Sequence, residues 1–126
     1  MNRTTKLLIG IILAGVLIFA VPKIISNITS VPSEYDDFAR CLKSSGATMY
    51  GAYWCPHCQD QKKLFGGSVK YINYVECDPR GDNANPGLCS SKGVEGYPTW
   101  EFLDGSFVSG KQTLEFLAIK SGCKLP

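Results

Sequence analysis

Hydrophobic residues follow three different rhythms along this chain, and each predicts its own kind of element. Leu7 to Pro22 is an unbroken run of sixteen uncharged residues, apolar on every side, as a helix surrounded by lipid is. At helical rise the run is about 24 Å long, short of a hydrocarbon core of about 30 Å. Lys6 and Lys23 can snorkel and Ile24-Ile25 extend the apolar length, so residues 7–25 read as a transmembrane signal-anchor. Residues 1–6 carry Arg3 and Lys6 and no acid. That bias keeps them in the cytoplasm and places everything after Lys23 on the outer face of the membrane. The competing reading is a cleaved signal peptide. Its apolar region is usually shorter and ends in small residues, whereas Ala20 is preceded two residues earlier by Ile18, and Ser30 by Ile28.

After a short polar linker, residues 26–32, the rhythm becomes that of a folded domain, 33–126. A helix is expected from Ser33, a good N-cap, with Glu34, Asp36 and Asp37 in the first turn, Tyr35, Phe38, Ala39 and Leu42 on one face, and Gly46 as its stop. Ala47 to Tyr53 reads as a buried strand, Gln59 to Phe65 as a helix ending near Gly66-Gly67, and Tyr71 to Cys77 as a second strand. Asp78 to Gly87 reads as loop, with a short helix at most over Leu88 to Lys92. Gly96 to Leu103, the turn Asp104-Gly105 and Ser106-Phe107-Val108 predict an antiparallel hairpin with Pro98 at a strand start. Gln112 to Lys120, with Leu114, Phe116, Leu117 and Ile119, predicts a closing amphipathic helix stopped by Gly122. Phe38, Phe65, Trp100, Phe102 and Phe116 fall at core spacing. Strands separated by helices imply a parallel pair, and the hairpin makes the sheet mixed: an α/β domain covered on both faces.

Composition narrows the function. A net charge of +2 with scattered basic residues shows no nucleic-acid footprint. Six cysteines in a globular part of roughly 95 residues is heavy usage and points to an oxidising compartment. One pair stands apart: Trp54-Cys55-Pro56-His57-Cys58, a C-x-x-C after a strand and at a helix start. There the first sulfur meets unpaired backbone N–H groups and the positive end of the helix dipole, which favour a thiolate at Cys55. Pro56 suits an early helical position, and the two cysteines can close a small disulfide. His57, the single histidine, adds a positive charge or a hydrogen bond. A stabilised thiolate stabilises the reduced form, which makes the disulfide form a ready oxidant. Zinc would want further Cys or His ligands at matching spacing, haem attachment a histidine at Gln59, and neither pattern occurs, so no metal or cofactor is expected.

The order of elements, with Trp54-Cys55-x-x-Cys58 after the first strand and Tyr97-Pro98 before the hairpin, resembles a thioredoxin fold. More closely, Met49 to Gln59, Tyr74 to Asp78, Cys89 and Gly96 to Trp100 resemble the thioredoxin-like domain that accompanies bacterial and plant homologues of vitamin K epoxide reductase. The resemblance covers about residues 33 to 122. It implies a domain that takes electrons from folding proteins outside the cytoplasm and hands them to a quinone-reducing membrane enzyme. Carried onto this chain, Cys55 is the exposed nucleophile, Cys58 its resolving partner, Pro98 a cis-proline beside the sulfurs, and Tyr97 a source of backbone hydrogen bonds for a substrate strand. Trp54 and Pro56 flank the substrate-facing surface. The family's domain is commonly fused to the multi-span enzyme, whereas this sequence has one candidate span, so a separate membrane partner is expected. Reducing thioredoxins carry a buried acid in the strand before the motif, where this chain has Met49. Glu76 and Asp78 could substitute for it if they point inward, but read first as ordinary loop-end acids.

The resemblance also implies that Cys77 and Cys89 pair, with a redox-active relay pair as the other reading. Cys41 and Cys123 end helices that a thioredoxin fold brings to the pole away from the motif, which suits a staple, although four cysteines allow three connectivities. The expected function is a single-pass inner-membrane thiol–disulfide oxidoreductase whose domain faces the periplasm or an equivalent lumen and oxidises protein thiols. The alternatives are a membrane-tethered reductase or isomerase, for apocytochrome or misbridged proteins, and a non-catalytic adaptor of the same fold.

Overall fold

The computed structural model describes residues 2–12 and 33–126, in two units that divide at Pro32. In the first unit, residues 3–12 are helical (α1) and expose Leu7, Leu8, Ile11 and Ile12. Among the described residues no helix is long and apolar enough to cross a membrane. Of the expected span 7–25, residues 13–25 lie outside the described residues, as does the linker 26–32.

The second unit follows the expected order: α2 (Asp36–Ser44), β1 (Thr48–Gly51), α3 (Pro56–Phe65), a 3-10 turn (Gly66–Tyr71), β2 (Asn73–Glu76), α4 (Pro86–Ser91), β3 (Thr99–Glu101), β4 (Phe107–Ser109) and α5 (Leu114–Ser121). The sheet order is β2-β1-β3-β4. β1 runs parallel to β2, with Gly51 opposite Glu76, and antiparallel to β3, which pairs antiparallel with β4. Because side chains alternate along a strand, Met49 and Tyr50 feed opposite faces. Met49 packs with Phe38 and Leu42 of α2, Phe65 and Cys58 of α3, Trp100 of β3 and Leu117 of α5. Tyr50 packs with Cys77 and with Cys89 and Leu88 of α4. A mixed four-stranded sheet with helices on both faces is the thioredoxin-like α/β fold.

Several local expectations are corrected. α2 begins at Asp36 with Tyr35 at its N-cap, and Ser33 lends only its carbonyl, to the N–H of Asp36. Both strands flanking the motif are shorter than expected because their ends are drawn into turns, Ala47 toward α2 and Tyr71 into the 3-10 turn. On α5, Leu114 and Leu117 are buried at i, i+3, while Phe116 and Ile119 fall on another stripe, 37 % and 85 % exposed. Phe116 is therefore not core; its ring meets the edge of Phe102 at 6.4 Å.

Three features tie the elements of this unit together. Buried Gln61 of α3 accepts from Trp100 Nε1 and from the N–H of Gln112, and donates to the Gln112 carbonyl at 3.0 Å, which ties α3 to β3 and to the approach to α5. A Cys41–Cys123 disulfide joins α2 to the turn after α5, where Gly122 takes φ 73°. A Cys77–Cys89 disulfide joins the end of β2 to α4. These are the pairings that the sequence left among three connectivities.

Candidate active site

β1 ends at Gly51, and the chain turns through Ala52, whose carbonyl accepts the N–H of Cys55 at 3.0 Å. Cys55 is then the N-cap of α3, with Pro56 at the first helical position, where a missing N–H costs nothing. The N–H of Cys58 donates to Cys55 Sγ at 3.2 Å. A sulfur here does the work that a Ser or Asp oxygen does at other helix starts, and a negative sulfur does it best. Cys55 and Cys58 are both free thiols.

Opposite the sulfurs, the Tyr97-Pro98 bond is cis, and Cys55 Sγ donates toward the Tyr97 carbonyl at 3.7 Å. This wall explains why Cys55, expected to be exposed, is only 4 % exposed. The Tyr97 carbonyl is thus presented beside Cys55 Sγ. Trp54 is 51 % exposed. Its ring stands edge-on to Tyr97 at 6.4 Å, and its Nε1 donates to Asp78 Oδ2 at 2.7 Å. Arg80 binds the same carboxylate through Nε and a terminal nitrogen, at 3.0 and 2.7 Å, which together with the Arg80 N–H and Trp54 holds Asp78 well below the usual carboxylate range. Asp78 is thus an anchor for Trp54. Pro56 and His57 are exposed on the same rim, and among the described residues the imidazole makes no hydrogen bond.

Cys58 lies behind, 1 % exposed. Burial, then its hydrogen bond with Cys55, pushes its thiol up to about 12, so at neutral pH it is protonated. Glu76, read from the sequence as a loop-end acid, is 5 % exposed instead. It accepts from Tyr74 Oη at 2.8 Å and from the N–H of Asp78 at 2.9 Å. Burial, followed by the Glu76 hydrogen bond, raises Tyr74 above the usual phenol range. Lys62, one turn after Cys58 on α3, stands over the Tyr74 ring at 3.4 Å, and burial holds its ammonium below the usual value against the pull of Glu76 and the two thiols.

The structure therefore brings together Trp54, Cys55, Pro56, His57, Cys58, Tyr97 and Pro98, and holds Cys41, Cys77, Cys89 and Cys123 in two bridges away from them. Glu76 takes the inward place that the sequence left as its second reading, whereas Lys62 and Tyr74 go unsignalled by any motif. The available signal was the alternation in β2, which puts Tyr74 and Glu76 on one face, and their register opposite Met49 and Gly51 of β1. Among the described residues no group of three His, Cys, Asp or Glu side chains is placed to hold a metal ion.

No family model matches the chain. Among curated proteins it is similar to the thiol-disulfide oxidoreductase LTO1 of Arabidopsis thaliana, 40% identical over 105 residues, which make up 79% of this chain and 28% of that protein. It is also similar to the protein disulfide-isomerase erp38 of Neurospora crassa, 29% identical over 109 residues, 75% of this chain and 29% of that one. The chain thus spans less than a third of the length of either relative. Among solved structures, oxidized glutaredoxin 2 from Chlamydomonas reinhardtii is 22% identical with a TM-score of 0.40, covering 71% of this chain and 94% of that one.

Proposed function

We propose that this chain is a thiol–disulfide oxidoreductase, anchored in a membrane by residues 7–25, whose domain acts outside the cytoplasm to oxidise the thiols of other proteins. Relatives named thiol-disulfide oxidoreductase and protein disulfide-isomerase support an oxidoreductase. The observation that carries the reading is Cys55 Sγ capping α3, with the Cys58 N–H donating to it at 3.2 Å and the cis-proline wall beside it. Basic residues before the apolar run and two structural disulfides support the extracytoplasmic, single-pass placement.

In the oxidising cycle a substrate thiolate attacks Cys55 Sγ of the Cys55–Cys58 disulfide. The intramolecular bond breaks, a substrate–Cys55 mixed disulfide forms, and Cys58 leaves with the electron pair. A second substrate thiolate then attacks the substrate sulfur, releasing a substrate disulfide and the Cys55 thiolate. Trp54, pinned by Asp78, and Tyr97 bound the surface on which the substrate lies. The dithiol is reoxidised by giving two electrons to a separate membrane partner, in this reading a quinone reductase of the vitamin K epoxide reductase type.

Cys58→Ala in the full chain, expressed in cells with an oxidising compartment, is expected to accumulate mixed disulfides through Cys55, recovered in the membrane fraction. Recovery of none refutes the oxidoreductase reading. The equilibrium of Cys55–Cys58 against glutathione fixes the direction, since a strongly reducing potential removes the oxidase and leaves a tethered reductase or isomerase, the activity in the name of the second relative.

A further inference from the structure

The rim around Cys55 is largely apolar, and one cation is bonded into it. Arg80 reaches the rim through Asp78, in an arrangement that fixes the guanidinium without burying it. Asp78, Pro79 and Arg80 form a tight turn in which Asp78 Oδ1 accepts the Arg80 N–H at 2.9 Å, and Pro79 restricts the backbone between them. The Arg80 side chain folds back on the same carboxylate, with Nε donating to Oδ1 at 3.0 Å and one terminal nitrogen to Oδ2 at 2.7 Å. Oδ2 also takes the Trp54 indole. The base of the turn is held as well, since Cys77 donates to the Gly51 carbonyl at 2.8 Å and is bonded to Cys89. The Arg80 side chain nevertheless stays 73 % exposed. Among the described residues its hydrogen bonds use Nε and one terminal nitrogen, so the donors of the other terminal nitrogen are free.

An arginine held in this way has already lost the rotamer freedom that binding an anion ordinarily costs, and its planar fork keeps one side open. Asp78 offsets its charge in part, so Arg80 offers a directed hydrogen bond more than long-range attraction. Asp82 and Glu95 are exposed in the loops beside Arg80 and Tyr97, and among the described residues neither forms an ion pair with the guanidinium. The other cation near the thiols, Lys62, is occupied with the Tyr74 ring. We propose that Arg80 is a specificity-determining residue of thiol exchange, whose open terminal nitrogen takes a carboxylate of the substrate protein a few residues from the reacting cysteine. The inference rests on the thiol-exchange reading above and adds the substrate class: polypeptides with acidic residues flanking the cysteine. The Trp54 ring links the two ends of the docking surface, edge-on to Tyr97 and bonded to Asp78. A strand that brings its cysteine to Cys55 beside the Tyr97 carbonyl crosses that ring, and a carboxylate further along it meets Arg80.

The test uses the full chain with Cys55–Cys58 oxidised and a set of dithiol peptides of equal length. One residue, moved through successive positions beside a cysteine, is Asp, Asn or Lys, and the second-order rate constant for loss of the peptide thiols is measured. Each rate is divided by that of the same peptide with oxidised glutathione, which removes the effect of the flanking charge on the peptide thiol itself. At the position that meets Arg80, the Asp peptide is expected to react about threefold to fivefold faster than the Asn peptide, the scale of an exposed charge-assisted contact, and the Lys peptide slower than either. Arg80→Gln should bring the Asp and Asn peptides to one rate, whatever it does to both together through Asp78, and Arg80→Lys should restore part of the preference. Equal corrected rates for the Asp and Asn peptides at every position overturn the inference, as does a preference that survives Arg80→Gln. Failure of the underlying reading looks different: no peptide of any charge reduces Cys55–Cys58, and the inference falls with it.

Discussion

Helices α3 and α4 begin in the same way and end up with opposite chemistry. Each has a proline at its first position, Pro56 and Pro86, and a cap side chain that accepts from the N–H of the third helical residue: Cys55 Sγ from Cys58, and Asn85 Oδ1 from Leu88 at 3.1 Å. Each also carries a buried cysteine within its first turn or just after it, Cys58 and Cys89. In α4 the cap atom is an amide oxygen, which can do nothing but accept, and the cysteine is bonded to Cys77. In α3 the cap atom is itself a sulfur, so the donor that stabilises the helix start also stabilises the charge of a nucleophile. The difference teaches that reactivity at a helix start is decided by which atom occupies the cap, while the surrounding turn can stay the same.

Converting one start into the other breaks the comparison most severely. Cys55→Asn is expected to reduce thiol exchange to background, while chemical denaturation stays within about 1 kcal/mol of the unsubstituted protein because the cap is kept. Opening the other pair should do the reverse. Cys77→Ser with Cys89→Ser is expected to lower stability by about 3 kcal/mol in urea denaturation, as loss of a short closed loop does, with mixed-disulfide formation at Cys55 retained. A loss of exchange in that variant would mean that the second pair belongs to the electron route. The smallest effect is expected from Asn85→Ala, which removes the oxygen cap alone and should cost about 1 kcal/mol, measured by the same denaturation, with exchange unchanged.

The sequence displays what depends on local rhythm and on single motifs. The C-x-x-C at a strand–helix boundary, the order of elements and the aromatic core of Phe38, Phe65 and Trp100 are all readable from spacing. Residues whose role depends on what lies across the sheet are not. Glu76 looks like a loop-end acid because its burial is made by the following loop, which closes over its carboxyl at Gly81. Cys55 looks exposed because the wall that covers it, Tyr97-Pro98, comes forty-odd residues later. Phe116 and Ile119 look like core because they are apolar, although the helical angle turns both away from the stripe of Leu114 and Leu117. The choice among three disulfide connectivities is likewise made by the fold, which carries Cys41 to Cys123.

That last bridge spans 82 residues of sequence, and every strand of the sheet lies between its two sulfurs. Joining its two halves removes two electrons that something else has to accept. On the proposed function, a protein that oxidises others is in this sense first a client of oxidation, its own maturation completed by the kind of chemistry it goes on to perform.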